Sequence, residues 1–291
     1  MTKYIHTIDV HNTRAAEEIV PWLMKWFQPE SVVDVGCGIG TWLYVFKSMG
    51  VKNILGIEGE HLNTDLLMID KNEITFADLE KEFSTDNRFD LAICLEVAEH
   101  LVPESSDIFI KSLTKLSDII IFSAAVPYQG GQNHVNEQWL DYWKSRFRKN
   151  NFELADEIRS VFWNNKKIEW WYRQNMLIAF KKDKPLPFMH IIPPLDIIHP
   201  DLFMKKNETI NTLMNDVNLT TNSNNILSQE LERLKHDNLI LRENLHQSES
   251  MIRNIYKSLS WRIGHSLIKI PAGFLHIFCS VNTFIHKKIM D

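Results

Sequence analysis

A chain of 291 residues has room for one domain of ordinary size and an appendage, and 44% hydrophobic content with 9 Trp and 16 Phe is ample for a packed core. Net charge is −5, but the last 41 residues hold six Lys or Arg against one Asp, which is +5 and leaves −10 on the first 250. An acidic body with a basic tail argues against general nucleic-acid binding by the body and points the tail at something anionic.

The three cysteines, Cys37, Cys94 and Cys279, are far apart and match no metal spacing, so they read as reduced thiols of a cytosolic protein. Met1–His6 carries no apolar core of a signal peptide, so secretion is not expected. Residues 12–27 predict a helix capped by Asn12 or Thr13, with Ala15, Ala16, Ile19, Val20, Leu23 and Phe27 on one stripe, Pro21 kinking it and Pro29 ending it.

Ser31–Val35 follows as a β-branched, buried parallel strand. It carries Asp34 and runs into Gly36, Gly38 and Gly40, then a helix from Thr41 to about Met49. Glycines at a strand-to-helix turn direct backbone N–H groups toward a ligand at the carboxyl end of a strand. The spacing G-x-G-x-G is one residue tighter than the dinucleotide fingerprint, and the Walker lysine pattern is absent.

A second strand, Asn53–Glu58, ends in an acid 22 residues beyond Gly36, where a carboxylate can accept both hydroxyls of a ribose; a solvated loop acid is the alternative. A third strand, Ile74–Ala77, delivers Asp78 and Leu79. A fourth, Phe89–Leu95, runs into Glu96-Val97-Ala98-Glu99-His100. Residues 104–117 predict a helix and 117–124 a fifth strand, followed by a glycine-rich loop through Gly130, Gly131, His134 and Trp139. A helix over 137–149 and strands over 152–158 and 175–181 close the pattern, with Trp163, Trp170 and Trp171 between the last two.

Taken together, the acid and glycine loop, the second-strand acid, the third-strand Asp and Glu-x-x-Glu-His resemble the class I S-adenosylmethionine-dependent methyltransferases over residues 1–182. The resemblance implies an α/β, Rossmann-like seven-stranded sheet with helices on both faces. It implies S-adenosyl-L-methionine held by Asp34, Gly36, Gly38, Gly40, Glu58, Asp78, Leu79 and Leu95, with Asp78 on the adenine amino group and the Leu79 N–H on the ring. An exposed turn acid is the other reading of Asp78. The loop 131–139 and Trp170–Asn175 resemble a subgroup found with bacterial surface-polysaccharide enzymes.

Methylating a sugar hydroxyl requires something to take its proton, and His100 and His134, with Glu99, are the candidates. A sharper alternative joins Glu96, Glu99, His100 and His134 around a divalent cation such as Mg or Mn, an arrangement that resembles the metal site of small-RNA 3′-end methyltransferases. Trp139, Trp143, Trp163, Trp170 and Trp171 either face a sugar ring or pack the sheet; one or two are expected at the substrate.

Prolines punctuate a linker over 183–204, and a heptad register then runs through 205–260, with Asn238 at an a position. A coiled-coil homodimer and a single amphipathic helix folded back on the body are both open. The basic tail, 261–291, is too short and interrupted to span a bilayer, which leaves an interfacial helix at the inner face of the membrane or docking onto the body. The expected function is O-methylation of a saccharide or glycolipid acceptor in the cytoplasm. The rivals are ribose 2′-O-methylation of RNA and a coiled-coil scaffold with a vestigial methyltransferase fold.

Overall fold

The structure, a computed structural model, describes residues 12–60, 62–188 and 191–258. Contacts divide the chain into two compact units, one ending at Thr209 and the other beginning at Ile210. The first unit holds seven strands: β1 (Ser31–Val35), β2 (Asn53–Glu58), β3 (Ile74–Phe76), β4 (Leu91–Leu95), β5 (Ile119–Ser123), β6 (Phe152–Ala155) and β7 (Leu177–Lys181). They form one sheet in the order β3-β2-β1-β4-β5-β7-β6. The first five run parallel and β7 enters antiparallel to both β5 and β6.

The apolar runs explain the middle of the sheet. Every residue of β4 and β5 is buried, as parallel strands covered on both faces require. On one face Ile19 and Leu23 of α1 (Arg14–Phe27) pack with Leu43 and Phe46 of α2 (Thr41–Ser48). On the other, Phe109, Ile110 and Leu113 of α3 (Ser106–Leu116) pack with Trp143 and Phe147 of α4 (Leu140–Lys149). Helix α1 continues through Pro21, and Gln28 ends it in the left-handed region with its N–H on the Met24 carbonyl. The strand order reverses between β1 and β4, whose residues Asp34 and Ile93 pair directly. Ligands of open α/β sheets bind outside the carboxyl ends of strands at such a reversal.

Several boundaries differ from expectation for identifiable reasons. β4 starts at Leu91 because the Asp90 carboxylate accepts the N–H groups of Glu30 and Ser31, both at 2.9 Å, and thereby ties the start of β1. β6 stops at Ala155, and Glu157–Phe162 forms α5, because buried Arg159 turns back to hold Asp156 and the Leu195 carbonyl. α6 (Trp170–Asn175) takes the first residue expected of the last strand. Helix α4 begins at Leu140 because Glu137 serves the preceding loop instead.

The stretch read as linker is not free along its length. Ile192 exchanges backbone and side-chain hydrogen bonds with Asp156 and Glu157, and His199 and Leu202 are buried. A single helix, α7, then runs Pro200–Lys257, beginning earlier than residue 205, with Pro200 in the first turn where its missing N–H costs nothing. The expectations for residues 261–291 fall outside the described residues, and no described helix is long and apolar enough to cross a membrane. Cys37 and Cys94 are free and buried.

Phe109 is fully buried between α3 and the sheet. Phe109→Ala is expected to lower unfolding free energy by about 3–5 kcal/mol, whereas exposed Ser223→Ala should change it by less than about 0.5 kcal/mol. Urea denaturation of both variants, followed by tryptophan fluorescence, checks the contrast.

Candidate functional site

The turn after β1 is built by backbone geometry. Gly36, Gly38 and Gly40 have φ of 75°, 54° and 84°, the left-handed region that side chains disfavour. At Gly36 the constraint is also spatial, since an added Cβ would stand 2.3 Å from Val97 Cγ2. The Gly36 N–H donates to the Ile57 carbonyl at 2.8 Å, which draws the turn across to the end of β2. There Glu58 accepts the Gly38 N–H on one oxygen at 2.8 Å and the Gly59 N–H on the other at 2.9 Å. The second-strand acid therefore meets the glycine loop.

Asp34 lies within β1, buried, and burial followed by the charge of Glu58 pushes its carboxyl well above the usual range. Asp78 is different: it is exposed, and its ion pair with Lys81 at 2.9 Å, helped by the Glu80 N–H, holds its carboxyl low. Its neighbour Leu79 is buried. The structure thus brings Gly38 and Glu58 into contact, puts Asp34 within their electrostatic reach, and leaves Asp78 tied to its own turn.

Leu95 closes β4, buried, opposite Ser123 of β5. The next residue, Glu96, sits at φ 55°, strain on the order of 1–3 kcal/mol. Its N–H donates to the Ser123 carbonyl at 3.0 Å. Its carboxylate accepts Gln129 Nε2 at 2.9 Å and Asn175 Nδ2 at 3.0 Å. Asn175 also donates to Gln129 Oε1 at 2.9 Å and accepts from Gln174 at 3.0 Å. These three buried amides belong to residues to which the sequence reading gave no role. The only signal available was their place in the polar run 129–138 and at the polar end of the aromatic run 170–175.

Glu99 and His100 lie on a one-turn 3-10 helix, Ala98–His100. The Glu99 carbonyl accepts the N–H groups of Val135 and Asn136 at 2.9 and 3.0 Å, which draws the loop after β5 over the end of β4. That loop delivers His134, whose ring centroid is 4.9 Å from that of His100, edge to face. His134 Nδ1 lies 2.8 Å from Glu137 Oε1, which also accepts the Gly130 N–H at 2.6 Å. Gly131 leaves room for this ring, because a Cβ there would fall 2.2 Å from His134 Nε2.

Glu99 is fully buried, and among the described residues no group meets its carboxylate oxygens in full hydrogen-bond geometry, although the Ala125 N–H and the Glu96 carboxyl act on it. Burial, and after it the neighbouring Glu96, pushes its carboxyl well above the ordinary value. One ligand atom each from Glu99, His100 and His134 lies within 4.8 Å of the others. Glu96, expected as a fourth ligand, is outside that group, because Gln129 and Asn175 hold its carboxylate. Among the tryptophans, Trp143 is core, packed on Phe122 at 5.5 Å, whereas Trp139 is exposed at the end of the loop. Trp163, Trp170 and Trp171 are half-buried among His199, Tyr172 and one another.

Comparison with known families matches residues 9–166, more than half of the chain, to the family described as "Methyltransferase domain". The chain belongs to that family. It is a methyltransferase. No curated protein sequence matches. Similar solved structures include the magnesium protoporphyrin IX methyltransferase of Synechocystis PCC 6803 with bound SAH, at 19% identity and TM-score 0.42, covering 60% of this chain and 85% of that one. DesVI of Streptomyces venezuelae is similar at 12% identity and TM-score 0.44, covering 58% and 91%. The methyltransferase domain of bacterial-CtHen1-CN is similar at 18% identity and TM-score 0.41, covering 58% and 100%.

Two outcomes follow from this geometry. Gly36→Ala should reduce S-adenosylmethionine affinity at least tenfold, on the order of 1.4 kcal/mol, in isothermal titration, because the added methyl displaces Val97 or the turn. Unchanged affinity would separate the turn from the cofactor. The folded chain holds the Glu99 proton more tightly than an unfolded one, so its contribution to stability declines as pH rises from the ordinary carboxylate range through the raised value. Glu99→Gln should therefore melt like the native chain at acid pH and higher than it at pH 8, by on the order of 1–3 kcal/mol. A variant that loses stability with pH as steeply as the native chain would contradict the assignment.

Proposed function

We propose that the protein transfers the methyl group of S-adenosylmethionine to a hydroxyl oxygen of a saccharide, either a surface glycan or a lipid-linked sugar, at the inner face of the membrane. The observation that carries the proposal is the convergence of two imidazoles and a fully buried carboxylate at the end of β4. A hydroxyl is a poor acid, so its methylation needs a group that takes the proton in the transition state. The sulfonium itself supplies the activated methyl for in-line displacement.

The chain's own residues divide the remaining work. Glu58 has lone pairs beyond the two amides it accepts, enough for the hydroxyls of a ribose. Glu137 orients His134: with the Nδ1 proton directed at that carboxylate, Nε2 is left as the proton acceptor. Gln129 and Asn175 keep the Glu96 carboxylate in one place beside the site.

Glu99, His100 and His134 also fit a divalent cation, because a fully buried carboxylate is stabilised by a positive ion and two imidazoles complete a mixed donor set. Such a set suits Mn better than Mg, which prefers oxygen ligands. When bound, the ion would lower the pKa of the acceptor hydroxyl.

The same cluster supports a second reading, ribose 2′-O-methylation of RNA. The charge of −10 on the first 250 residues weighs against a polyphosphate ligand.

Incubation of the full chain with radiolabelled S-adenosylmethionine and separate glycan, lipid-linked sugar and RNA fractions tests both. Label should enter a sugar fraction with little dependence on salt, and His134→Ala should slow it about 10²–10⁴-fold. Label confined to RNA, with incorporation falling steeply as salt rises, would overturn the saccharide reading. Exhaustive chelation should abolish activity and Mn should restore it; full activity after chelation removes the cation and leaves His134 as base.

A further inference from the structure

Beyond Thr209 helix α7 belongs to a separate unit, and among the described residues of that unit nothing covers its apolar side chains. From Leu227 to Ile255 they recur every three and four residues. Leu231, Leu234, Leu241, Leu245, Ile252 and Ile255 are between 49% and 66% exposed. Seven of the nine a and d positions in this stretch are Leu or Ile, and the others are Asn238 and Ser248. A seam of this length, about 42 Å at 1.5 Å per residue, does not persist facing water on a lone helix. Ile226 and Ile240 fall outside the seam, in a row that Arg233 interrupts, so one stripe dominates.

The flanking charges decide what covers it. With Leu231, Asn238 and Leu245 at a, the g positions carry Glu230 and Asp237 and the e positions carry Lys235 and Arg242. We infer that α7 pairs with α7 of a second copy of this chain as a parallel, in-register, two-stranded coiled coil centred on Asn238. In that arrangement each g residue faces the e residue five positions further along the other helix. Glu230 then meets Lys235 of the second copy and Asp237 meets Arg242, and symmetry makes each contact twice.

An antiparallel pair would set acids against acids and bases against bases. Within one helix the acids already lie at 2.7 and 3.3 Å from Arg233, exposed contacts that contribute little and leave the carboxylates available to a second partner. Asn238 adds the register. It meets its own counterpart only when the helices are parallel and unshifted, and a slip of one heptad buries its amide against Leu231 or Leu245 without a partner.

The test uses the full chain. Sedimentation equilibrium of the native protein should give twice the 34.2 kDa of one chain. Lys235→Glu with Arg242→Glu makes both flanks acidic, Glu230→Lys with Asp237→Lys makes both basic, and each double variant alone should be monomeric. Mixed in equal amounts they should again give a species of two chains. Orientation is read separately: Leu241→Cys in a Cys279→Ser background should form a disulfide-linked dimer on mild oxidation, since Cys37 and Cys94 are buried. A native monomer at micromolar concentration, double variants that stay dimeric, or a Leu241→Cys dimer that oxidation leaves without a cross-link would each overturn the inference.

Discussion

One carboxylate ties the turn after β1 to the end of β2. Glu58, the last residue of β2, reaches the amide of Gly38 in the turn after β1 and the amide of Gly59 in its own turn. Each hydrogen bond to a charged group is worth roughly 1.5–3 kcal/mol when it forms in place of water. Their larger effect is geometric. They hold a run of left-handed glycines, which on their own have more freedom than any other residues, against a fixed acceptor. The buried Asp34 nearby has its carboxyl pushed up by burial and by the Glu58 charge.

The second half of the site depends on the end of β4, where the neighbouring strand changes the direction of the sheet order. Glu96 takes a strained backbone conformation there and is stabilised in it by Ser123, Gln129 and Asn175. The chain can then turn into the short 3-10 helix that sets Glu99 inside and His100 beside His134. The network extends further, since Gln174 Oε1 accepts the His199 N–H at 2.7 Å and Arg173 holds Asp201 at 2.5 Å. The start of α7 is therefore fastened by the same helix, α6, whose last residue holds Glu96.

Most of this frame was legible in the sequence because it rests on local rules. Buried parallel strands need apolar runs, a strand-to-helix turn around a ligand needs glycine, and carboxylates at strand ends stand out against such runs. Glu99, His100 and His134 came together as expected, and Glu58, expected at the end of β2, meets the glycine loop there. Asp78 stands just past the end of β3, exposed and paired with Lys81 three residues on. Glu96 fell outside the candidate metal group because two amides distant in sequence, Gln129 and Asn175, claimed its oxygens. Pairings across 33 and 79 residues leave no periodic mark on either segment. The anchor points of 192–202, at Ile192, Leu195, His199 and Leu202, were hidden for a similar reason: prolines announce where regular structure stops, not where the chain then lies.

The amide cradle closed by Glu58 is the element on which the rest depends. The most direct measurement is a crystal structure of the full chain with S-adenosylhomocysteine. The ribose hydroxyls should lie within hydrogen-bond distance of Glu58, with the nucleoside against the turn at Gly36 and Gly38. A bound nucleoside that leaves Glu58 on its two amides and lies away from that turn would contradict it.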